Sequence, residues 1–204
     1  MAQPVVIVLS KSRVNARSVQ DLNEYMDWNP MHKTFMNSEP GREHYKMLAE
    51  ISHQLPNNAH ISDVGTYYGT SALALSSNPN VNVMSYDIGE FIPKGVKSPL
   101  NRANIQMNVM SGHADIATIS KSAFVLLDID PHDGPEETRF VNFLIEHGFR
   151  GVLACDDIYL NSGMKDFWDN IPQQLKKIDV SDMAHWTGTG VVVFDPSHID
   201  VVIA

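Results

Sequence analysis

The chain has 204 residues, 43% of them hydrophobic and 19% charged, with a formal net charge of -9. This composition supplies one sizeable core and excludes intrinsic disorder, while the acidic balance argues against non-specific nucleic-acid binding, which needs a basic footprint. A lone cysteine, Cys155, excludes an internal disulfide and fits a reducing, cytoplasmic setting.

Pro4 to Leu9 is an apolar run too short to span a membrane, and no basic flank marks it as a secretory leader. It reads as an edge strand or a segment packed on the domain, with an inter-subunit strand as the alternative. Residues 10–40 read as polar and irregular, broken at Asn29-Pro30 and at Glu39-Pro40-Gly41, with a short helix around Val19 to Tyr25. Residues 1–40 thus form a cap ahead of a main domain over 41–204. Met26, Trp28, Met31, Phe35 and Met36 are expected to pack within that cap, with an apolar lid as the alternative.

From Arg42 to Leu55 the spacing of Leu48, Ile51 and Leu55 predicts a helix, ended by Pro56-Asn57-Asn58. Strands and helices then alternate. Strands are expected near 60–64, 81–86, 103–109, 123–128 and 150–155, and helices over 70–77, 89–92, 113–119 and 135–147. Ala123 to Leu127 is continuously apolar, as a strand covered on both faces requires. Met164, Phe167, Trp168, Ile171 and Leu175 make one stripe, which predicts a core-packed helix from Gly163 to Leu175. Lys177 to Asp182 and Gly190 to Phe194 read as strands. His185 to Thr189 between them is too short for a crossover helix, so the two must pair antiparallel. The sum is an α/β chain whose sheet is mostly parallel and closes with an antiparallel strand.

Ile61 to Leu75 is the most informative stretch. It reads as a strand, a turn containing Gly65 and Gly69, and a helix start. The next strand ends at Asp87. Glycines allow close backbone approach, a helix N-terminus offers free N–H groups, and a carboxylate accepts from ribose hydroxyls. A dinucleotide fingerprint would be G-x-G-x-x-G. Here Thr66-Tyr67-Tyr68 separates the glycines, and two tyrosines are bulky for a loop around a pyrophosphate. Asp128 lies at the end of a buried strand, and Asp156-Asp157 at the end of the next. Such a concentration of acid calls for a cation or a proton, and oxygen ligands suit Mg²⁺, Ca²⁺ or Mn²⁺. The competing reading has these acids capping helices or pairing with Arg139 or Lys165. His132 sits within this region. His185 reads as structural, and His32, His44, His53, His60, His147 and His198 have no chemical context. Cys155, flanked by acids, is a poor nucleophile.

The pattern Asp63-x-Gly65-x-x-x-Gly69-x-Ser71, followed by Asp87, resembles the cofactor motif of class I S-adenosylmethionine-dependent methyltransferases, in the O-methyltransferase branch. The resemblance spans about residues 40–195 and implies a Rossmann-like seven-stranded sheet with its last strand antiparallel and helices on both faces. It implies that Gly65 and Gly69 flank the methionine part of S-adenosylmethionine, that Asp63 sits near its ammonium, that Ser71 lies at the helix start and that Asp87 holds the ribose. It also implies an adenine contact at Ser111-Gly112-His113, where the family often has an acid in place of His113. The metal-dependent members place an Asp after the fourth strand and an Asp-Asn pair after the fifth. Asp128 and Asp156 match that pattern, and Asp157 stands where Asn is usual. A further methyltransferase group carries D-G-x-H-x-Y after the fourth strand; here His132 follows Asp128 by four residues, and the tyrosine is missing.

The expected reaction is methyl transfer to a small-molecule hydroxyl, with Asp128 and His132 as catalytic residues, His132 or Lys165 as proton acceptor, and Asp128, Asp156 and Asp157 as ligands of a divalent ion. The resemblance allows a homodimer; no nucleic-acid or membrane partner is expected. The alternatives are a nicotinamide-dependent oxidoreductase, a methyltransferase-like binding module without turnover, and the same fold and metal serving hydroxylation or hydrolysis. Acceptor specificity is expected in residues 10–40, 130–136, 157–163 and 183–189.

Overall fold

The computed structural model describes residues 3–38, 42, 44–93, 96, 100 and 102–204. The chain opens with β1 (Val5–Leu9), α1 (Lys11–Ala16), α2 (Gln20–Tyr25), a 3-10 turn over Met26–Trp28, α3 (Pro30–Met36) and α4 (Tyr45–Gln54). Then come β2 (His60–Val64), α5 (Thr70–Leu75), β3 (Asn82–Asp87), β4 (Ile105–Val109), α6 (Ile116–Ile119) and β5 (Phe124–Leu127). The last part holds α7 (Pro135–Glu146), β6 (Val152–Cys155), α8 (Ser162–Asp169), β7 (Lys176–Asp179), β8 (Gly190–Val193) and β9 (Ile199–Ile203).

Seven strands form one sheet in the order β4-β3-β2-β5-β6-β8-β7. All pair parallel except β8, which runs antiparallel to both neighbours, β6 and β7. The antiparallel strand is therefore inserted one place in from the sheet edge. The strand order reverses between β2 and β5, which opens a crevice at their C-terminal ends, the usual ligand position in open α/β sheets.

The central strands β5, β6 and β8 are buried at every residue, because helices cover both faces. Their side chains alternate between two cores. Phe124 and Leu126 join Leu48, Ile51 and Leu73 on one face; Val125 and Leu127 join Phe140, Leu144 and Trp168 on the other.

Residues 10–40 are more ordered than their polarity suggests. Ser10 caps α1, accepting from the Arg13 N–H, and Asn29 caps α3, accepting from the His32 N–H. Asn29-Pro30 thus starts a helix, with proline in its first turn, where no intrahelical donor is lost. Glu39-Pro40-Gly41 lies outside the described residues. Met26 and Met36 are fully buried, while Met31 and Phe35 are exposed. Glu50 of α4, 2% exposed, accepts from Arg13 at 2.8 Å and Arg17 at 2.5 Å, which fastens the first helix to the main layer.

Three other expectations change. No helix forms over 89–92. α8 stops at Asp169, with Pro172 close behind, although Ile171 still packs in the core. The strand at the chain start pairs within its own chain: β1 and β9 make a separate two-stranded parallel sheet, Val5 opposite Ile199 through Leu9 opposite Ile203. Among the described residues, no helix is long and apolar enough to cross a membrane.

Candidate functional site

The turn after β2 is built for close approach. Gly65 has φ +99°, and a Cβ there would stand 1.6 Å from the Asp128 carbonyl oxygen. Only glycine lets the β2 and β5 ends come together at the switch point. Gly69, φ +79°, lies against Leu100. The Gly65 and Thr66 N–H groups are donated to the Tyr86 carbonyl, which ties the turn to β3.

Asp63 is fully buried beneath this turn. Its Oδ2 accepts from Ser71 at 3.1 Å and Ser85 at 2.6 Å, while Oδ1 is buried with no hydrogen bond among the described residues. Burial raises its pKa to about 6, against the lowering effect of the two serine hydroxyls. Ser71 therefore supports Asp63. Asp87, at the end of β3, accepts from the Tyr67 N–H at 2.7 Å through Oδ2 and from the Gly89 N–H at 3.4 Å through Oδ1. The first contact orients the carboxylate and the long second one leaves Oδ1 with acceptor capacity.

A cleft of about 530 Å³ opens at these strand ends. Gly65, Asp87, Gly112, His113, Asp128 and His132 all line it, together with Tyr67, Phe91 and Met110. Asp63, Gly69, Ser71, Asp156 and Asp157 do not line it. Gly112 approaches Val64 closely, since a Cβ would meet its Cγ1 at 2.9 Å. The His113 ring packs on Phe140 and Phe143, and burial lowers its pKa, so it is a neutral wall. His113 Nε2 is buried without a hydrogen bond among the described residues.

Beside the cleft, carboxylates and imidazoles interleave. His132 Nε2 lies 3.7 Å from Asp128, 3.6 Å from Asp130 and 3.7 Å from Asp157. His44 Nδ1 is 3.2 Å from Asp156, and His185 Nδ1 is 3.3 Å from Asp157. Burial, then repulsion from Asp156 and Asp157, raises the Asp128 pKa well above the usual carboxylate range. Burial and Asp156 also raise Asp157. Burial pushes Asp156 the same way, but the His44 and His185 imidazoles outweigh it and hold this carboxyl at about 2. One strongly ionised acid thus neighbours two that resist ionisation. His44, His132, Asp157 and, in the glycine turn, Tyr67 all adopt left-handed backbone. Such strain in non-glycine residues concentrates at functional sites.

Among the described residues, two groups of side chains could hold a metal ion: His44 with Asp128 and Asp156, and Asp156 and Asp157 with His185. In each, the candidate ligand atoms lie within 4.8 Å of one another. Asp156 is common to both groups, Asp128 falls only in the first and Asp157 only in the second; among the described residues none of the three pairs with Arg139 or Lys165. Arg139 bonds Glu136 and Lys165 bonds Asp169. His44 and His185, read from sequence as lacking a chemical role, belong to the cluster. Nothing local marks them, since His44 comes from the loop before α4 and His185 from the loop before β8. Cys155 is buried, and burial followed by nearby Glu137 and Asp156 raises its thiol, so it stays inert.

No protein-family model matches the sequence, and no curated protein matches it in sequence. Solved structures share its fold. The O-methyltransferase TomG of Streptomyces achromogenes, involved in tomaymycin synthesis and solved with S-adenosylmethionine, superposes with a TM-score of 0.65 at 12% identity. The alignment covers 88% of this chain and 91% of that one. The Bacillus cereus O-methyltransferase, in complex with S-adenosylhomocysteine, gives 0.59 at 15% identity, covering 89% and 94%. A Geobacter sulfurreducens methyltransferase gives 0.61 at 10% identity, covering 90% and 96%. At these identities the likeness establishes the fold: the chain has the Rossmann-like architecture of class I methyltransferases.

Proposed function

We propose that the chain is an S-adenosylmethionine-dependent methyltransferase acting on a hydroxyl of a small molecule, with a divalent ion at the acid cluster. One observation carries the reading: at the switch point a glycine turn that admits no Cβ lies between a buried carboxylate with an unbonded oxygen, Asp63 Oδ1, and a ribose-ready carboxylate, Asp87. These groups fit an adenosyl amino acid. Asp63 answers the ammonium, directly or through water. Gly65 and Gly69 clear the path of the methionine chain, Asp87 accepts from the ribose hydroxyls, and Gly112 and His113 wall the adenine. In this reading residues 1–40 cap the domain formed by 41–204.

S-adenosylmethionine supplies an activated methyl group, and a divalent ion supplies positive charge that eases loss of a hydroxyl proton. The chain positions and desolvates the reacting groups. Asp128 and Asp156, with Asp157 beside them, would hold the ion and so set where the acceptor oxygen sits. His132, within ion-pair range of Asp128 and Asp157 and lining the cleft, takes the proton from that oxygen. Lys165 is committed to Asp169 on the exposed face of α8 and has no part in this.

The direct test is methyl transfer from labelled S-adenosylmethionine to a panel of small phenols, catechols and sugar hydroxyls, with and without EDTA. Transfer that EDTA abolishes supports both halves of the reading. Transfer indifferent to EDTA removes the metal, and no transfer to any hydroxyl, with transfer to an amine instead, removes the acceptor class.

A further inference from the structure

His44 stands out because its side chain is only 4% exposed and its Nε2 has no hydrogen-bond partner among the described residues, while Nδ1 faces Asp156 at 3.2 Å. A buried imidazole left this way is costly unless something else engages it. Its ring nitrogens face carboxylates: a ligand atom from each of His44, Asp128 and Asp156 falls within a 4.8 Å span. The other imidazole at the cluster differs, because His185 is engaged by the Thr187 hydroxyl.

We propose that His44, Asp128 and Asp156 form a mixed imidazole–carboxylate centre that selects a first-row transition ion, of the Fe²⁺ to Zn²⁺ type, over Mg²⁺ and Ca²⁺. The inference deepens the metal half of the function proposed above and rests on it. Mg²⁺ and Ca²⁺ take oxygen ligands and gain little from a nitrogen. An imidazole beside carboxylates suits iron, cobalt, nickel and zinc, whose affinity for nitrogen rises from iron to nickel. His44 lies just before α4, outside the seven-stranded sheet, so metal binding would fasten the start of α4 to the catalytic strands.

The test is titration of the purified full chain with Co²⁺, followed by its visible absorption and by calorimetry, with Mg²⁺ as competitor. One Co²⁺ per chain is expected, bound at least about a hundredfold more tightly than Mg²⁺. His44→Ala and His44→Gln should each weaken Co²⁺ about tenfold or more and change its absorption, while moving Mg²⁺ affinity little. Equal affinity for the two ions, no uptake of Co²⁺, or wild-type Co²⁺ binding by the folded variants overturns the proposal. The last outcome would make His44 a counter-ion of Asp156 only. S-adenosylhomocysteine titration of the same samples reports folding and keeps the two claims apart. Its binding without Co²⁺ selectivity strikes this inference alone, and its failure to bind wild type strikes the methyltransferase reading.

Discussion

Asp63 is the residue whose surroundings say most about a ligand. An aspartate free in water titrates near 3.8, and Asp63 in the fold at about 6, chiefly through burial. Below the lower value both folded and unfolded chains hold the proton, and no penalty arises. As pH rises between the two values only the unfolded chain ionises, and the destabilisation grows to about 3 kcal/mol above the upper one. Asp63→Asn should remove this dependence and raise stability at neutral pH by an amount of that order, read by urea unfolding at several pH values. An ammonium group reverses the preference. Affinity for S-adenosylhomocysteine should therefore climb as pH passes through about 6 in the wild type and stay flat in Asp63→Asn. A flat wild-type profile would separate Asp63 from the ligand. Gly65 makes the complementary case. Gly65→Ala places a Cβ 1.6 Å from the Asp128 carbonyl at φ +99°. It should cost about 2 kcal/mol or more of stability and abolish cofactor binding together. A variant with wild-type binding would mean that the two strand ends can part freely.

Elements carry the second kind of evidence. α1 has six residues and would not persist alone, so its place depends on contacts with α4. Glu50 is the joint, nearly unexposed and bonded by Arg13 and Arg17. Burial opposes its ionisation, but the two guanidinium groups win and lower its pKa. The stability it adds is present above the usual carboxylate pKa and lost as pH falls through the lowered one. Glu50→Ala should cost about 1–3 kcal/mol, less than a fully buried pair because both arginines can reach water. Calorimetric unfolding checks this, and Glu50→Gln should retain part of the contribution through its hydrogen bonds. A neutral Glu50→Ala would mean that the first helix is held by packing at Val14 instead. Element boundaries are harder to read from sequence where composition misleads. The polar run at 10–40 hides two of its three short helices, α1 and α3, because their caps at Ser10 and Asn29 read as loop residues. α8 ends early, because the stripe through Ile171 continues past the helix that begins it.

At the scale of the whole molecule, the fold places Asp87 and Asp128 on one cleft and Asp156 and Asp157 at the next strand end, with Asp63 buried in β2. The parallel strands are legible because β5 and β6 are continuous buried apolar runs, and His185 to Thr189 leaves no length for a crossover before β8. The site residues on the glycine turn and at Asp87, Asp128 and Asp156 are legible too, since each follows its own strand directly. What escapes is non-local. β1 and β9 pair across the full length of the chain, and nothing in either strand names its partner. His44 meets Asp156 only once α4 has packed onto the sheet. The most direct test of the central claim is thermal unfolding with S-adenosylhomocysteine and, separately, with NAD. At a hundredfold excess over its dissociation constant, S-adenosylhomocysteine should raise the midpoint by about 5–10 °C. Asp87→Ala should lose most of that shift, and NAD should produce none. A clear shift with NAD and none with S-adenosylhomocysteine would contradict the account.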